Sequence, residues 1–297
     1  MVGDGKKFDY GRQRSSVKTA FIVLTYNRPD ALLQVLHALA VQCTGNHEVI
    51  IADDGSRPDL LETLNTKLPS FKCPVSHVWH PDVGFTAARA RNLAVAYSSA
   101  DYLVFLDGDC VPGRGFIAAH ENLAEPGFFV NGSRVLLSEA LTLRIVNDIV
   151  DINAVHWSDW IRWRWNGDSN KLIHLVKWPS VLFRKERFFR WKNIKSCNFG
   201  VFRQDFLLVN GFDESFQGWG HEDADLVLRL HNAGVQRKNG FCATEVYHLW
   251  HAENSRGTET VNRLRVEQRV DSGLVQATQG VNQVFSTPDV KVTSLND

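Results

Sequence analysis

Apolar residues in the first hundred positions come as short solid runs, and the stretches between them carry helical spacing. Ala20 to Thr25 is apolar and rich in β-branched residues. Pro29 to Val41 places apolar side chains on one helical face, with proline in the first turn and Asp30 near the positive helix end. Glu48 to Ala52 is a second run and closes in Asp53-Asp54-Gly55-Ser56. Pro74 to His80 is a third, and the Ala/Arg-rich stretch Phe85 to Ser98 predicts a helix leading into a fourth strand at Tyr102 to Leu106. Repeated β-α-β units of this kind predict an α/β fold with a mainly parallel central sheet flanked by helices, in a single domain. From Phe128 the pattern changes to an apolar run ending at Leu137, an ill-defined segment from Ser138 to Arg190, and a compact block from Ser196 to Trp250. After Arg256 a short polar helix gives way to a tail with little apolar content, which predicts fraying.

Composition narrows the setting. The 297 residues contain 33 Lys plus Arg and 33 Asp plus Glu, so no global field holds the protein on nucleic acid or an anionic surface. Five cysteines, at positions 43, 73, 110, 197 and 242, show no CxxC spacing and are odd in number, against both a disulfide framework and a zinc site. A reducing compartment fits them. Residues 1–17 are polar and lack the apolar core of a secretory signal, which reads as a disordered leader. No apolar run approaches the roughly 20 residues needed to span a bilayer. The expected address is the cytoplasm, with at most peripheral attachment to the inner face of the membrane.

In open α/β sheets ligands bind beyond the carboxyl ends of the strands. Three runs here finish in polar residues: Thr25-Tyr26-Asn27, Asp53-Asp54-Gly55-Ser56 and Asp107-Gly108-Asp109. Each set contains ordinary turn formers, yet all three fall on the same expected edge. Asp107 and Asp109 flank a glycine just past a buried strand, so a turn can aim both carboxylates at one hard cation, Mg²⁺ or Mn²⁺, that bridges to phosphate oxygens. The same Asp107-Gly108-Asp109-Cys110-Val111 also resembles the nucleophile loop of haloacid-dehalogenase-type phosphatases, which usually lies near the start of the catalytic domain rather than a hundred residues in. Farther on, Gly218-Trp219-Gly220-His221-Glu222-Asp223 is a glycine-flexed loop opening an amphipathic helix. Acids in a first helical turn often serve only the helix dipole. Successive helical side chains diverge by about 100°, so Glu222 and Asp223 cannot act on one atom in the same way. One could deprotonate a hydroxyl while the other binds or caps, with Trp219 walling the site. Tyr247-His248-Leu249-Trp250-His251 ends an apolar run and offers two imidazoles at a three-residue spacing, a nitrogen supply that favours Mn²⁺ over Mg²⁺.

Taken in order, these residues resemble the GT-A glycosyltransferases, in particular the large inverting family 2. Val23-Leu24-Thr25-Tyr26-Asn27-Arg28, Ile51-Ala52-Asp53-Asp54-Gly55-Ser56, Gly84 to Leu93 and Phe105 to Asp109 match the first half of that fold. Ser196-Cys197-Asn198-Phe199-Gly200, Asn210-Gly211-Phe212-Asp213 and Trp219-Gly220-His221-Glu222-Asp223 look like the C-terminal half shared by β-1,4-galactosyltransferases, polypeptide N-acetylgalactosaminyltransferases and chondroitin-type polymerase domains. The resemblance implies a nucleotide-sugar-binding half at 18–110, an acceptor-binding and catalytic half of the same domain at 111–256, and a C-terminal helix with a disordered tail at 257–297. It implies that Thr25, Tyr26, Asn27 and Asp54, with Asp53 beside them, hold a nucleotide base, uridine by resemblance. Arg91 would lie near the diphosphate or ribose. Asp107, Gly108 and Trp219 would contact the donor, with Asp109 the direct metal ligand and His251 or His248 the distal one. Asp223 would be the catalytic base and Glu222 a hydroxyl binder. Relatives often have glycine where this chain has His221. The implied reaction moves a hexose or N-acetylhexosamine from a UDP-sugar to a glycan or lipid-linked saccharide, in a cytoplasmic enzyme building bacterial lipopolysaccharide or another surface polysaccharide. A sugar-nucleotide pyrophosphorylase would want a basic, Gly-rich loop where this chain has Thr25-Tyr26-Asn27-Arg28-Pro29. A binding-only relative could dispense with the acids that are all present here.

His156-Trp157-Ser158-Asp159-Trp160-Ile161-Arg162-Trp163-Arg164-Trp165 holds four of the nine tryptophans and is the least family-like stretch. It reads as a helix packed on the core, an acceptor-stacking surface, or a contact with a lipid interface.

Overall fold

The computed structural model describes residues 17–178, 183–186, 188–191, 194, 196–218, 220–252 and 259–296. The leader up to residue 16 and Trp219 lie outside the described residues. The first half runs β1 (Thr19–Thr25), α1 (Pro29–Ala40), β2 (His47–Asp53), α2 (Asp59–Lys67), β3 (Val75–Trp79), α3 (Ala87–Ala96) and β4 (Tyr102–Asp107). It continues through β5 (Cys110–Pro112), α4 (Phe116–Leu123), β6 (Phe128–Asn131), β7 (Ser133–Leu136), α5 (Glu139–Val146) and α6 (Trp157–Trp165). The second half adds β8 (Asn198–Phe202), α7 (Arg203–Leu208), α8 (Glu222–Asn232), β9 (Gln236–Asn239), β10 (Glu245–His248), α9 (Glu259–Arg269) and β11 (Lys291–Ser294).

One sheet has the order β11-β3-β2-β1-β4-β8-β6-β9 and a smaller one the order β5-β10-β7. β3, β2, β1 and β4 are parallel, whereas β8 enters antiparallel to both β4 and β6. The solid apolar runs of β1 and β2 follow from their central places, where both sheet faces are covered. Alternation then divides their side chains. Phe21, Val23, Val49 and Ile51 join the core beneath α1, while Ala20, Ile22, Ile50 and Ala52 join the core beneath α3 and α8.

The C-terminal tail departs from the expected fraying. α9 forms as a polar helix, but Val281 and Val284 in a 3₁₀ turn (Val281–Ser286) are buried in the α3-side core. β11 pairs antiparallel with β3, and Asn296 accepts from the Val75 amide (2.8 Å) and donates to the Cys73 carbonyl (2.8 Å). Two valines and a free strand edge order a segment whose average composition is polar. Among the described residues no helix is long and apolar enough to cross a membrane, and all five cysteines are free and buried.

Candidate active site

A cleft of about 1120 Å³ opens at the carboxyl ends of β1 and β4 and is bounded by α8, the end of β10 and α9. Its floor is set by the turn after β4. The Gly108 amide donates to the Leu24 carbonyl at 2.6 Å, and a side chain on Gly108 would stand 2.8 Å from that same oxygen. Only glycine permits so close an approach, and this approach turns Asp107 and Asp109 into the cleft.

Asp109 faces two imidazoles. His248 is brought to it by the pairing of β10 with β5, in register with Cys110, and its Nε2 lies 3.8 Å from Asp109 Oδ1. His251 Nε2 lies 3.4 Å from Asp109 Oδ2. The Nδ1–H of His251 donates to the Ala252 carbonyl (2.8 Å), which leaves Nε2 as the nitrogen presented to the carboxylate. Burial, together with the charge on Asp107, pushes the Asp109 carboxyl above its usual range, against a lowering pull from the histidines. Burial likewise holds His248 below the usual imidazole range. Asp109 with the two imidazoles offers oxygen and nitrogen donors of the kind that could hold a divalent ion, and Asp107 lines the same cleft. Both histidines face the same carboxylate, so the structure brings both of the alternatives named above to Asp109.

Arg91 reaches from α3 to tie the two acidic motifs together. Its Nη2 donates to Asp107 at 2.9 Å and its Nη1 to Glu222 at 3.2 Å, so its charge is matched before any ligand arrives. Its neighbour Asn92 fastens the same helix to the Phe212 amide and carbonyl. α8 starts from a left-handed His221 (φ 72°), after which Glu222 and Asp223 diverge as helical geometry requires. Glu222 turns inward to Arg91. Asp223 lines the cleft and accepts from the amides of Ala224 (2.7 Å) and Ser196 (3.3 Å). Burial first, and the adjacent Glu222 second, push its carboxyl up to about 7.

On the nucleotide side the structure divides the expected residues. Thr25 and Tyr26 line the cleft; the Thr25 hydroxyl is buried with no partner among the described residues, and the Tyr26 hydroxyl donates to Asp82 (2.9 Å). Asn27, Asp53 and Asp54 do not line it. Asn27 is a left-handed turn residue (φ 51°) whose side chain accepts from the Arg57 amide. Asp53 is buried between His77 (2.8 Å) and the Ser56 amide (2.8 Å). Asp54 accepts from the Thr86 amide (2.9 Å) and hydroxyl (2.5 Å), with His80 Nε2 at 3.3 Å. The structure places these three expected nucleotide holders outside the cleft lining. The partners that capture them lie on β3 and at the start of α3, beyond the reach of local sequence reading.

Arg134 was missed. It lies on β7, lines the cleft, and its guanidinium is 4.0 Å from the Cys197 sulfur. Its being the one charged residue between Phe128 and Leu137 was the signal available. Cys197 and Ser196 also line the cleft, and their block had been singled out only by resemblance.

A doubly flanked, largely parallel sheet carrying a carboxylate–imidazole cluster and a protonatable acid in one cleft at its carboxyl edge defines a GT-A nucleotide-diphospho-sugar transferase domain. The chain belongs to glycosyl transferase family 2, whose model matches residues 20–203. A second model, the N-terminal domain of galactosyltransferase, matches residues 181–252 and covers the start of α8 and His248. Validoxylamine A glucosyltransferase of Streptomyces hygroscopicus subsp. jinggangensis is 28% identical over 228 residues, covering 72% of this chain and 51% of that protein. Chondroitin synthase of Escherichia coli is 27% identical over 249 residues, covering 76% of this chain and 34% of the synthase. The chain thus spans about half and about a third of these relatives. GalNAc-T7, solved with UDP, GalNAc and Mn²⁺, superposes with a TM-score of 0.54 at 14% identity, over 86% of this chain and 48% of that one, and shares the fold. Family membership removes the phosphatase reading of Asp107 and Asp109.

Proposed function

We propose that the protein is an inverting, metal-dependent transferase. It would move a hexose or N-acetylhexosamine from a nucleoside-diphosphate sugar, with uridine as the expected base, to a hydroxyl of a glycan or lipid-linked saccharide in the synthesis of a bacterial surface polysaccharide such as lipopolysaccharide. The observation that carries this reading is Asp223, a carboxyl held up to about 7 in the same cleft as the Asp107–Asp109–histidine cluster. A base poised near neutrality can take the proton of an acceptor hydroxyl, whose oxygen bonds to the anomeric carbon as the nucleoside diphosphate leaves from the opposite face. Asp109, with Asp107, His248 and His251, would hold a divalent ion, which would supply charge neutralisation for the departing diphosphate. Arg91 holds Glu222 beside the base, where its remaining oxygen can orient a hydroxyl. Thr25 and Tyr26 are the residues placed to meet the nucleotide base, while Asp53, Asp54 and Asn27 shape the loops behind them.

Support for both donor classes comes from the relatives, one named a glucosyltransferase and one solved with UDP and GalNAc. A retained set of acids, Asp107, Asp109, Glu222 and Asp223, separates the chain from a binding-only relative. The test is a panel of UDP-, GDP- and dTDP-sugars followed by thermal shift and by donor hydrolysis, with Mn²⁺, Mg²⁺ or chelator. At least one UDP-sugar should stabilise the protein and turn over only with metal; a panel without any stabilising donor would remove the assignment.

A further inference from the structure

The four tryptophans of α6 divide two and two. Trp160 and Trp163 are buried and meet edge to face at 5.0 Å, and Trp160 also packs on His174 (4.3 Å) and Tyr247 (4.9 Å). Trp157, Ile161 and Trp165 follow one another at four-residue spacing and form a single outward ridge, exposed by 59, 46 and 91%. None of the three lines the cleft. Helical geometry sets Arg162 on one side of this ridge and Arg164 on the other, both exposed. The one acid of the helix, Asp159, is tied to Arg162 (2.5 Å) and to the His156 amide (3.0 Å). A second exposed run, Val176-Lys177-Trp178, follows two residues after His174, whose ring packs on Trp160. His174, lowered to about 4 by burial and then by Lys171 and Lys177, is the side chain that packs on Trp160.

A ridge of two indoles and an isoleucine in water is unfavourable, and its chemistry says what would cover it. Sugar-stacking aromatics line concave sites, whereas this surface is the convex side of a helix. Indoles prefer the boundary between headgroups and acyl chains, an isoleucine between them adds an aliphatic side chain that enters the apolar zone, and flanking guanidinium groups pair with phosphates. The turn after α6 is fastened to the cleft: Leu136, a cleft-lining residue, donates its amide to Asn170 (2.9 Å), and Leu137 bridges to Ser169.

We propose that α6 is an interfacial anchor that seats the protein on an anionic lipid surface with the rim of the cleft beside the headgroups. The Trp157–Ile161–Trp165 ridge enters the interface, and Arg162, Arg164 and Lys177 hold lipid phosphates. The consequence for the acceptor, a saccharide carried on a lipid, rests on the transferase reading above; the docking does not.

The whole chain should float with vesicles of phosphatidylethanolamine and phosphatidylglycerol, and weakly with phosphatidylcholine alone. The variant W157S/I161S/W165S should lose at least about tenfold in partitioning. R162Q/R164Q should lose the preference for anionic lipid and its sensitivity to salt. Both variants change exposed positions outside the cleft, so both should keep the parent's unfolding temperature and nucleotide affinity. Bromine-labelled lipids should quench the parent's fluorescence and leave the triple variant's unchanged. A parent that stays in solution with every vesicle, or a triple variant that floats equally well, would overturn the anchor. A soluble oligosaccharide that shields the ridge from acrylamide where vesicles do not would also overturn it and give the ridge to a glycan. Flotation without transfer leaves the anchor standing, and transfer without flotation leaves the transferase standing.

Discussion

Two pairs of consecutive acids, Asp53-Asp54 and Glu222-Asp223, show one side-chain type buried in two different settings. Asp53 and Asp54 are buried at the end of β2, and donors from His77, Ser56 and Thr86 meet them. Glu222 is treated in the same way by Arg91. Asp223 keeps only two amide donors and opens onto the cleft, where burial retains its proton up to about 7. Burial alone therefore does not mark a reactive carboxylate. Matching does: a carboxylate met by side-chain donors joins loops, while one with open space before it can accept a proton from a guest.

The largest test of this contrast is Asp223→Asn, which should lower kcat by about 10³-fold and leave nucleoside-diphosphate affinity within about twofold, by titration calorimetry. Unchanged turnover would place the base elsewhere. The same substitution carries a stability signature. An ordinary carboxyl of this type ionises at 3.8, the folded one at about 7, so folding favours the protonated form and ionisation weakens the fold as pH rises between those values. Asp223→Asn should therefore be more stable than the parent at pH 8, in urea melts, and lose that advantage at pH 4.

Asp53→Ala should act in the opposite way. Removing it strands His77 and the Ser56 amide in the interior and should cost about 3 kcal/mol of stability in denaturant melts, with kcat of the folded fraction within a few-fold. A collapse of kcat with stability intact would move Asp53 into the site and dissolve the contrast. The smallest effect is a pH profile. kcat/KM should climb about tenfold per pH unit from pH 5 and level off above about 7, as Asp223 loses its proton. A limb centred near 4 would show that burial does not tune this carboxyl.

Local pattern carried much of this architecture. The runs at Ala20, Glu48, Pro74 and Tyr102 became β1 to β4 because strands buried on both faces must be solidly apolar, and Pro29 opened α1 where its missing N–H costs nothing. Asp109, Glu222, Asp223, His248 and His251 were legible as cleft-lining residues because each sits at or shortly past a strand end or at a helix start. The fates of Asp53 and Asp54 were not, since they depend on His77, His80 and Thr86, more than twenty residues away. Arg134 was hidden by the same limitation: its exposure to the cleft depends on β7 joining β10, a pairing more than a hundred residues apart. The ordered tail was masked by averaging, because Val281 and Val284 are diluted among polar neighbours.

That tail has a consequence for how the molecule behaves among its own copies. β3 is where the parallel series stops, and its backbone donors and acceptors would lie open to any passing strand were β11 not laid along them. Lys291 starts that covering strand and its ammonium sits over the Trp79 ring at 4.9 Å, so the edge ends in a short, charged, twisted border rather than a sticky one. Trimming the chain before Lys291 would leave the cleft's own residues in place and expose β3 as a template for sheet-to-sheet growth; such a protein would be lost to aggregation before it was lost to inactivity.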